Sequence, residues 1–313
     1  IRGAKAFNTG QADDPSTVGI EVVDARTLRV TLASPAPFFL DLLTYVAYSP
    51  VPRHAIEAYG NQWIRPKNMV VNGAFTLLSW IPRDRLVLTK NDRYWNADAV
   101  KLERSEVVFS DDEAKNLRLY ESGAVDWIRP IAEDKVKEFI ASGRSDLHID
   151  QQMCTYYYVI RMAKPPFDDP RVRRAFNMAI DKERLTSHIL SSHQVPATTL
   201  VTPMFEGTLG YISPAGPAFD PTGAKALLAE AGYPGGVGLP AIEITYNTFE
   251  IHRRIAEFVQ RSVKENLGVE VTVSNMEWKS LLKKVHAGDF QIARTSWCAD
   301  YPDPATFLTV LHS

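Results

Sequence analysis

The last third of the chain constrains the fold most. It alternates strand-like and helix-like segments: 242–246, 251–266, 269–273, 278–286 and 290–297. Ile251, Ile255, Val259 and Val263 recur every four residues, which gives one apolar helical face, and Gly268 follows as a stop. Phe290, Ile292 and Arg294 alternate with Gln291 and Ala293, which is a strand period. Strands separated by helices return through crossovers, so a mainly parallel sheet is predicted. Such sheets bind ligands at the carboxyl ends of their strands. The final strand ends at Trp297-Cys298-Ala299-Asp300-Tyr301-Pro302-Asp303-Pro304. Pro302 and Pro304 cannot continue a ladder, so the chain turns at 298–301. Asp300 is then a carboxylate at a strand end, with aromatic rings on either side. It is either a charge held beside a cationic partner or a solvated residue of the turn.

The 313 residues suffice for two or three domains. With 45% hydrophobic and 23% charged residues and a net charge of −2, no basic excess points to nucleic acid or an anionic membrane surface. No apolar run of about eighteen residues is present to span a bilayer; the most apolar stretch, 37–47, is interrupted by Asp41. Ile1-Arg2-Gly3-Ala4-Lys5 has neither the charged nor the apolar region of a signal peptide. There is no initiator Met, and the chain reads as a piece of a longer protein whose targeting lies elsewhere. Cys154 and Cys298 are too far apart for a CxxC metal or redox site. Composition leaves two reduced buried thiols and one long-range disulfide equally open.

Towards the start, residues 2–7 read as a short helix, 20–32 as a hairpin turning at Asp24-Ala25-Arg26, and 38–46 as an apolar helix. Ser49-Pro50-Val51-Pro52 is a first boundary. Strands follow at 72–77, 85–90 and 102–109, with 80–84 between the first two. Asp111-Asp112 caps a helix over 113–121; 125–128 reads as a strand and 133–142 as a helix. A second boundary falls at 154–160, where Thr155-Tyr156-Tyr157-Tyr158-Val159-Ile160 is β-branched and aromatic. Asp169-Pro170 starts a helix whose apolar face runs to about Ile189, and Asp220-Pro221 starts another over 224–231.

Chemistry for catalysis is hard to find. No phosphate-binding glycine loop, HExxH or GxSxG occurs, and no cofactor is implied. His188 and His193 are five residues apart, off ligand spacing for one helical face. Asp111-Asp112 and Asp168-Asp169 read as helix starts rather than an acid/base couple.

Two stretches are specific: Cys154-Thr155-Tyr156-Tyr157-Tyr158 and Trp297-Cys298-Ala299-Asp300-Tyr301. With Asn72-Gly73-Ala74-Phe75, Tyr94-Trp95 and Pro166-Phe167-Asp168-Asp169-Pro170-Arg171-Val172-Arg173, they make the whole chain resemble bacterial oligopeptide-binding proteins. These are the solute-binding receptors of ABC peptide importers. The resemblance implies an α/β, two-lobed periplasmic-binding-protein-like fold of type II with an extra subdomain, truncated here at both ends. It implies that 1–50 is the tail of the lid-like subdomain, 51–153 part of the first lobe and 154–313 most of the second.

By the same resemblance the protein captures short peptides for import and is not an enzyme. Its partners are the membrane permease subunits. It works as a monomer, either in the periplasm or extracellularly with a membrane anchor. Asp300 would pair with the peptide ammonium, and the backbone around Trp297 and Cys298 with the peptide backbone. Arg294 and His252 would meet the peptide carboxylate. Tyr157, Trp278 and Asn247 would line the cleft, and Cys154 and Cys298 would form a disulfide. Each residue has another reading: Arg294 as structural partner of an acid, His252 as a first-turn residue facing water, Tyr157 and Trp278 as core aromatics. The chain departs from relatives at Val159, where they have a cleft Glu, and at Leu190 and Val285, where they have basic residues. A dipeptide, a cell-wall murein peptide, a nickel chelate or haem therefore stays open as the ligand.

Overall fold

A computed structural model describes residues 1–190 and 193–310. The chain divides into two compact units, one of residues 1–49 with the segment from Ala299 onward, the other Pro50–Cys298.

In the first unit a short helix, Ala4–Asn8, precedes a hairpin of β1 (Ile20–Asp24) and β2 (Thr27–Val30). The Asp24 carboxylate accepts from the Arg26 N–H at 2.8 Å, which locks the predicted turn. The apolar run 38–46 is not one helix. Its α-turn stops at Leu42, and a tighter 3-10 turn, Val46–Tyr48, follows. The Thr44 hydroxyl donates to the Asp41 carbonyl at 2.7 Å and competes with the ladder there. The segment after Ala299 bends through Tyr301 into the helix Ala305–Leu308, which buries Thr306 and Phe307. Phe38 and Tyr301 stack with ring centres 4.0 Å apart.

The second unit begins with an antiparallel meander of β3 (Phe75–Ile81), β4 (Arg85–Lys90) and β5 (Arg104–Val108). β3 extends past the predicted 77 because a bulge between Leu77 and Ser79 restores its register. Helices Glu113–Glu121 and Glu133–Ser142 follow, the first capped by Asp112, which accepts from the Lys115 N–H at 2.8 Å. The predicted strand at 125–128 does not form. Trp127 stands 73% exposed, and the segment pairs with no strand among the described residues.

The second sheet has the order β6-β9-β7-β8, with β6 Cys154–Ile160, β7 Ile242–Asn247, β8 Val271–Met276 and β9 Ile292–Cys298. β7 runs parallel to β8 and to β9, as the crossovers Glu250–Leu267 and Trp278–His286 require. β6 is the exception: it pairs antiparallel with β9, from Cys154↔Cys298 to Ile160↔Ile292, so the sheet is mixed. The last strand made lies inside the sheet, flanked by β6 and β7.

Strand alternation sends the even-numbered residues of β6, β7 and β9 to one face and the odd-numbered ones to the other. β8 is one residue out of phase, with Val271 opposite Ile242, so its even-numbered residues lie on the odd face. On the even face Ile242, Ile244 and Ile292 pack with Ile255, Val259 and Val263 of the Glu250–Leu267 helix. On the odd face Ala293 packs with Leu281 and Phe290, joined by Val159, Val285 and Met276. Each fully buried aliphatic side chain contributes about 1.5–3 kcal/mol. Both Asp-Pro helix starts are as predicted: Asp169 accepts from the Arg171 N–H at 2.7 Å, Asp220 from the Gly223 N–H at 2.9 Å. The helix from Pro170 ends at Met178 rather than near Ile189. Asp181 restarts the chain by capping Arg184 N–H at 2.9 Å, and a wider π-type turn, Leu185–Leu190, completes the apolar stripe.

Candidate functional site

The carboxyl ends of β7, β8 and β9 fall at Asn247, Met276 and Cys298, and antiparallel β6 begins beside them at Cys154. This end of the sheet collects most of the candidate residues. Cys154 and Cys298 face each other in register and form a disulfide across 144 residues of sequence. Of the two readings that composition left open, the disulfide is the one that forms.

Above Cys298 on the even face come Ser296 and Arg294, with Tyr156 and Tyr158 opposite them on β6. Arg294 donates to Asn247 Oδ1 and to Ser296 Oγ, both at 3.2 Å, and its guanidinium carbon lies 4.7 Å from the centre of the Tyr156 ring. It forms no ion pair among the described residues, so the reading of Arg294 as partner of an acid does not hold. The contrast with Arg253 is direct: that exposed arginine pairs with both Glu250 and Glu257.

His252 enters from the first turn of the Glu250–Leu267 helix. It is 9% exposed, not facing water, and its ring lies against Tyr156 at 5.5 Å and Phe249 at 5.4 Å. Burial, helped by the nearby Arg294 charge, pulls its pKa down to about 4. His252 is therefore neutral at physiological pH, and Arg294 alone carries the positive charge of the cluster. Burial also raises the pKa of the Tyr156 and Tyr158 phenols, the latter well above its ordinary value. The atoms Tyr156 Oη, Tyr158 Oη, His252 Nδ1 and Arg294 Nε are buried without a well-formed hydrogen bond among the described protein atoms, although the Tyr156 phenol lies near enough to Tyr158 and Arg294 to interact with both. An unpaired charge amid unsatisfied donors is costly, and an anion with acceptor oxygens is the group that relieves both costs.

The odd face carries Tyr157, across from Thr295, and Trp297, across from Thr155. Both are half-buried, and burial raises the Tyr157 pKa. Trp278 opens the Trp278–His286 helix and stands 40% exposed rather than in the core. Asn247 ends β7 and, through its bond to Arg294, links the strand end to the even face. Val159 and Val285 both pack on the Leu281 cluster, and Leu190 packs against the larger core, so the three departures are apolar contacts.

Asp300 belongs to the first unit. Its carboxylate is exposed and makes no ion pair among the described residues; its backbone N–H donates to Thr306 Oγ1 at 3.2 Å. That is the solvated-turn environment. Tyr156, Tyr158 and Ser296 had not been singled out in the sequence. The strand period held the signal, since it puts Tyr156 and Tyr158 on the side of Cys154 and opposite Tyr157. Among the described residues no cluster of three or more His, Cys, Asp or Glu could hold a metal, and no helix is long and apolar enough to cross a membrane.

A mixed α/β sheet whose strand ends gather polar and aromatic groups is an arrangement suited to holding a ligand. The chain belongs to the bacterial extracellular solute-binding proteins, family 5, whose middle-region profile matches residues 2–313. It is 36% identical over 303 residues to the periplasmic oligopeptide-binding protein OppA of Escherichia coli strain K12, a match covering 95% of this chain and 55% of that one. It is 35% identical over 316 residues to the probable deoxycholate-binding periplasmic protein YgiS of the same strain, covering 100% and 58%. A crystal structure of a periplasmic oligopeptide-binding protein from Borrelia burgdorferi superposes with a TM-score of 0.86 at 35% identity, covering 100% of this chain and 61% of that one. The chain thus spans little more than half the length of the curated relatives it matches. The family is one of substrate-binding proteins rather than enzymes.

Proposed function

We propose that the chain is the central part of a receptor that captures short peptides in an interlobe cleft and delivers them to an ABC importer. The observation that carries this reading is the Arg294 cluster: a cation without a counter-ion, beside a neutral buried His252 and two buried phenols without well-formed hydrogen bonds. In a family of solute-binding proteins, such a cluster is suited to a ligand carboxylate. The exposed Asp300 carboxylate, on the turn after β9, would take the peptide ammonium. Backbone around Trp297 and Cys298 would pair with the peptide backbone, which reads no side chain, while Tyr157, Trp278 and Asn247 would form walls. In this reading 1–50 belongs to a lid-like subdomain, 51–153 to the first lobe and 154–313 to the second. The receptor would act as a monomer beside membrane permease subunits, in the periplasm or tethered outside the cell.

The test uses the full-length protein and calorimetry with mixed tripeptides. Asp300→Asn keeps the shape and removes the charge. Losing one partner of a buried ligand ion pair costs about 2–5 kcal/mol, roughly 30-fold to several thousand-fold in affinity. N-acetylated peptides should bind the wild type poorly, and the variant should hardly distinguish them from free peptides. A change within about threefold, with acetylation hurting both proteins equally, would remove Asp300 from the site. Tight binding of deoxycholate and none of any peptide would move the ligand to the class named for the Escherichia coli relative, since a bile acid has a carboxylate for Arg294 and nothing for Asp300.

A further inference from the structure

We infer that the Arg294–His252 cluster takes up a proton from solvent when it receives a ligand carboxylate, His252 becoming imidazolium only in the complex. The inference rests on the peptide-binding reading and concerns how that site is regulated.

The geometry supplies the reason. His252 and Arg294 both lie against the Tyr156 ring, the first at 5.5 Å between ring centres, the second at 4.7 Å from guanidinium carbon to ring centre. Burial of the His252 ring first, and then the Arg294 charge across the same Tyr156 ring, disfavour a second cation in the cluster. Arginine does not give up its proton in proteins, so the neutral partner is His252. Among the described residues no carboxylate forms an ion pair with either His252 or Arg294, and Glu133 and Asp134 line the hollow that holds Arg254 and His188. β6 offers Tyr156 and Tyr158, 6.0 Å apart edge to face and both kept protonated by burial, and β7 offers Tyr246 near Tyr158. On the helix of His252, Glu250 and Glu257 are engaged with Arg253 at the surface. The turn Leu185–Leu190 carries His188, which lines a separate hollow with Arg254 and Leu190.

A ligand carboxylate would supply the missing negative charge. It would neutralise Arg294, remove the repulsion and favour protonation of the ring, so that both ring nitrogens bear hydrogen. The bound-state pKa of His252 then lies above its free-state value of about 4. The sign follows: binding takes up a proton between the two values, and affinity rises as pH falls through the bound-state value, by at most about tenfold per pH unit. Above the bound-state value the dependence disappears.

The experiment is calorimetry on the full-length protein near pH 6, in two buffers of different ionisation enthalpy. The probes are a free-acid tripeptide and its C-terminal amide. At this pH the peptide ammonium is already charged, with a pKa of about 8, and the carboxylate, at about 3.5, is already ionised. The free acid should take up several tenths of a proton or more per peptide, and the amide almost none. His252→Gln should abolish the uptake and bind the free-acid peptide more weakly, whereas uptake unchanged in the variant would overturn the inference. In the wild type, the His252 ring proton resonance should titrate more than one pH unit higher with free-acid peptide than without, which reads the same event should the variant fold poorly. Binding of the free acid without uptake, or equal uptake with the amide, overturns the inference and leaves the peptide-binding reading standing. Absence of any peptide binding overturns both.

Discussion

The two faces of the β6-β9-β7-β8 sheet are built from the same strands, yet they differ in kind near the strand ends. On the odd face Ala293, Val159, Leu281, Phe290 and Val285 make an apolar cluster, and the buried Thr245 hydroxyl beside Ala293 donates to the Glu243 carboxylate. On the even face an equally apolar core gives way, within two residues of Ile292, to Arg294, Ser296, Tyr156, Tyr158 and His252. The difference lies in where poorly partnered groups gather: Tyr156 Oη, Tyr158 Oη, His252 Nδ1 and Arg294 Nε meet on the even face, whereas the odd face has Ser274 Oγ.

Three experiments on the full-length protein sharpen that contrast. The largest effect should come from the feature both faces share. The Cys154–Cys298 bond closes a loop of 144 residues, worth about 4–5 kcal/mol in the chain-entropy model. The double Cys→Ser variant should lose most of that in denaturant unfolding, and peptide affinity should fall with it because the bond sits at the strand ends. A loss under 1 kcal/mol would mean that the strand pairing holds itself.

Next comes a variant that should separate function from stability. Arg294→Met removes the unpaired cation and keeps much of the side-chain volume. Free-acid peptides should bind about 30-fold or more weakly, while the melting temperature holds or rises, because a charge without a counter-ion no longer has to be desolvated. A fall in stability of more than about 2 kcal/mol with unchanged affinity would make Arg294 a structural residue, held by Asn247 and Ser296. The smallest expected effect is the mirror image. Leu281→Ala opens the apolar cluster and should cost about 2–4 kcal/mol of stability, with affinity changed less than threefold. If affinity drops as well, the two faces are coupled and the contrast fails.

Local signals of the fold were legible. Asp169-Pro170 and Asp220-Pro221 mark helix starts because an Asp side chain satisfies exposed N–H groups and proline at the first position gives up none that is needed. The Trp278–His286 helix has the bounds its pattern predicts. What depended on distant partners was not legible. The 125–128 segment has strand composition but no neighbour to pair with, and the helix after Pro170 breaks where Asp181 offers a second cap. At the site, Arg294 and Tyr157 were marked by the resemblance, and Asn247 by its place at a strand end. The burial of His252 follows from which face of its helix meets β6, and no local pattern states that. Asp300 stood out through its place after the last strand and then through the resemblance of its motif, yet its own surroundings are those of an ordinary turn.

The position of β9 has a consequence for the order in which the protein can fold. The strand that lies between β6 and β7 is the last of the four in sequence, and its final residue, Cys298, pairs with Cys154 of β6, 144 residues earlier. A chain emerging from its amino end leaves β6 with an open edge for nearly half the length of this sequence. The parallel pair β7–β8 can form first, around a helix already made, but the sheet cannot join until residues 292–298 arrive. Pairing at such long range makes folding slow, because the intervening loop must be closed before any contact repays its entropy. Among the four strands of this sheet, synthesis therefore adds last the one that carries Arg294 and Ser296, and their cluster with Tyr156 and Tyr158 waits for it.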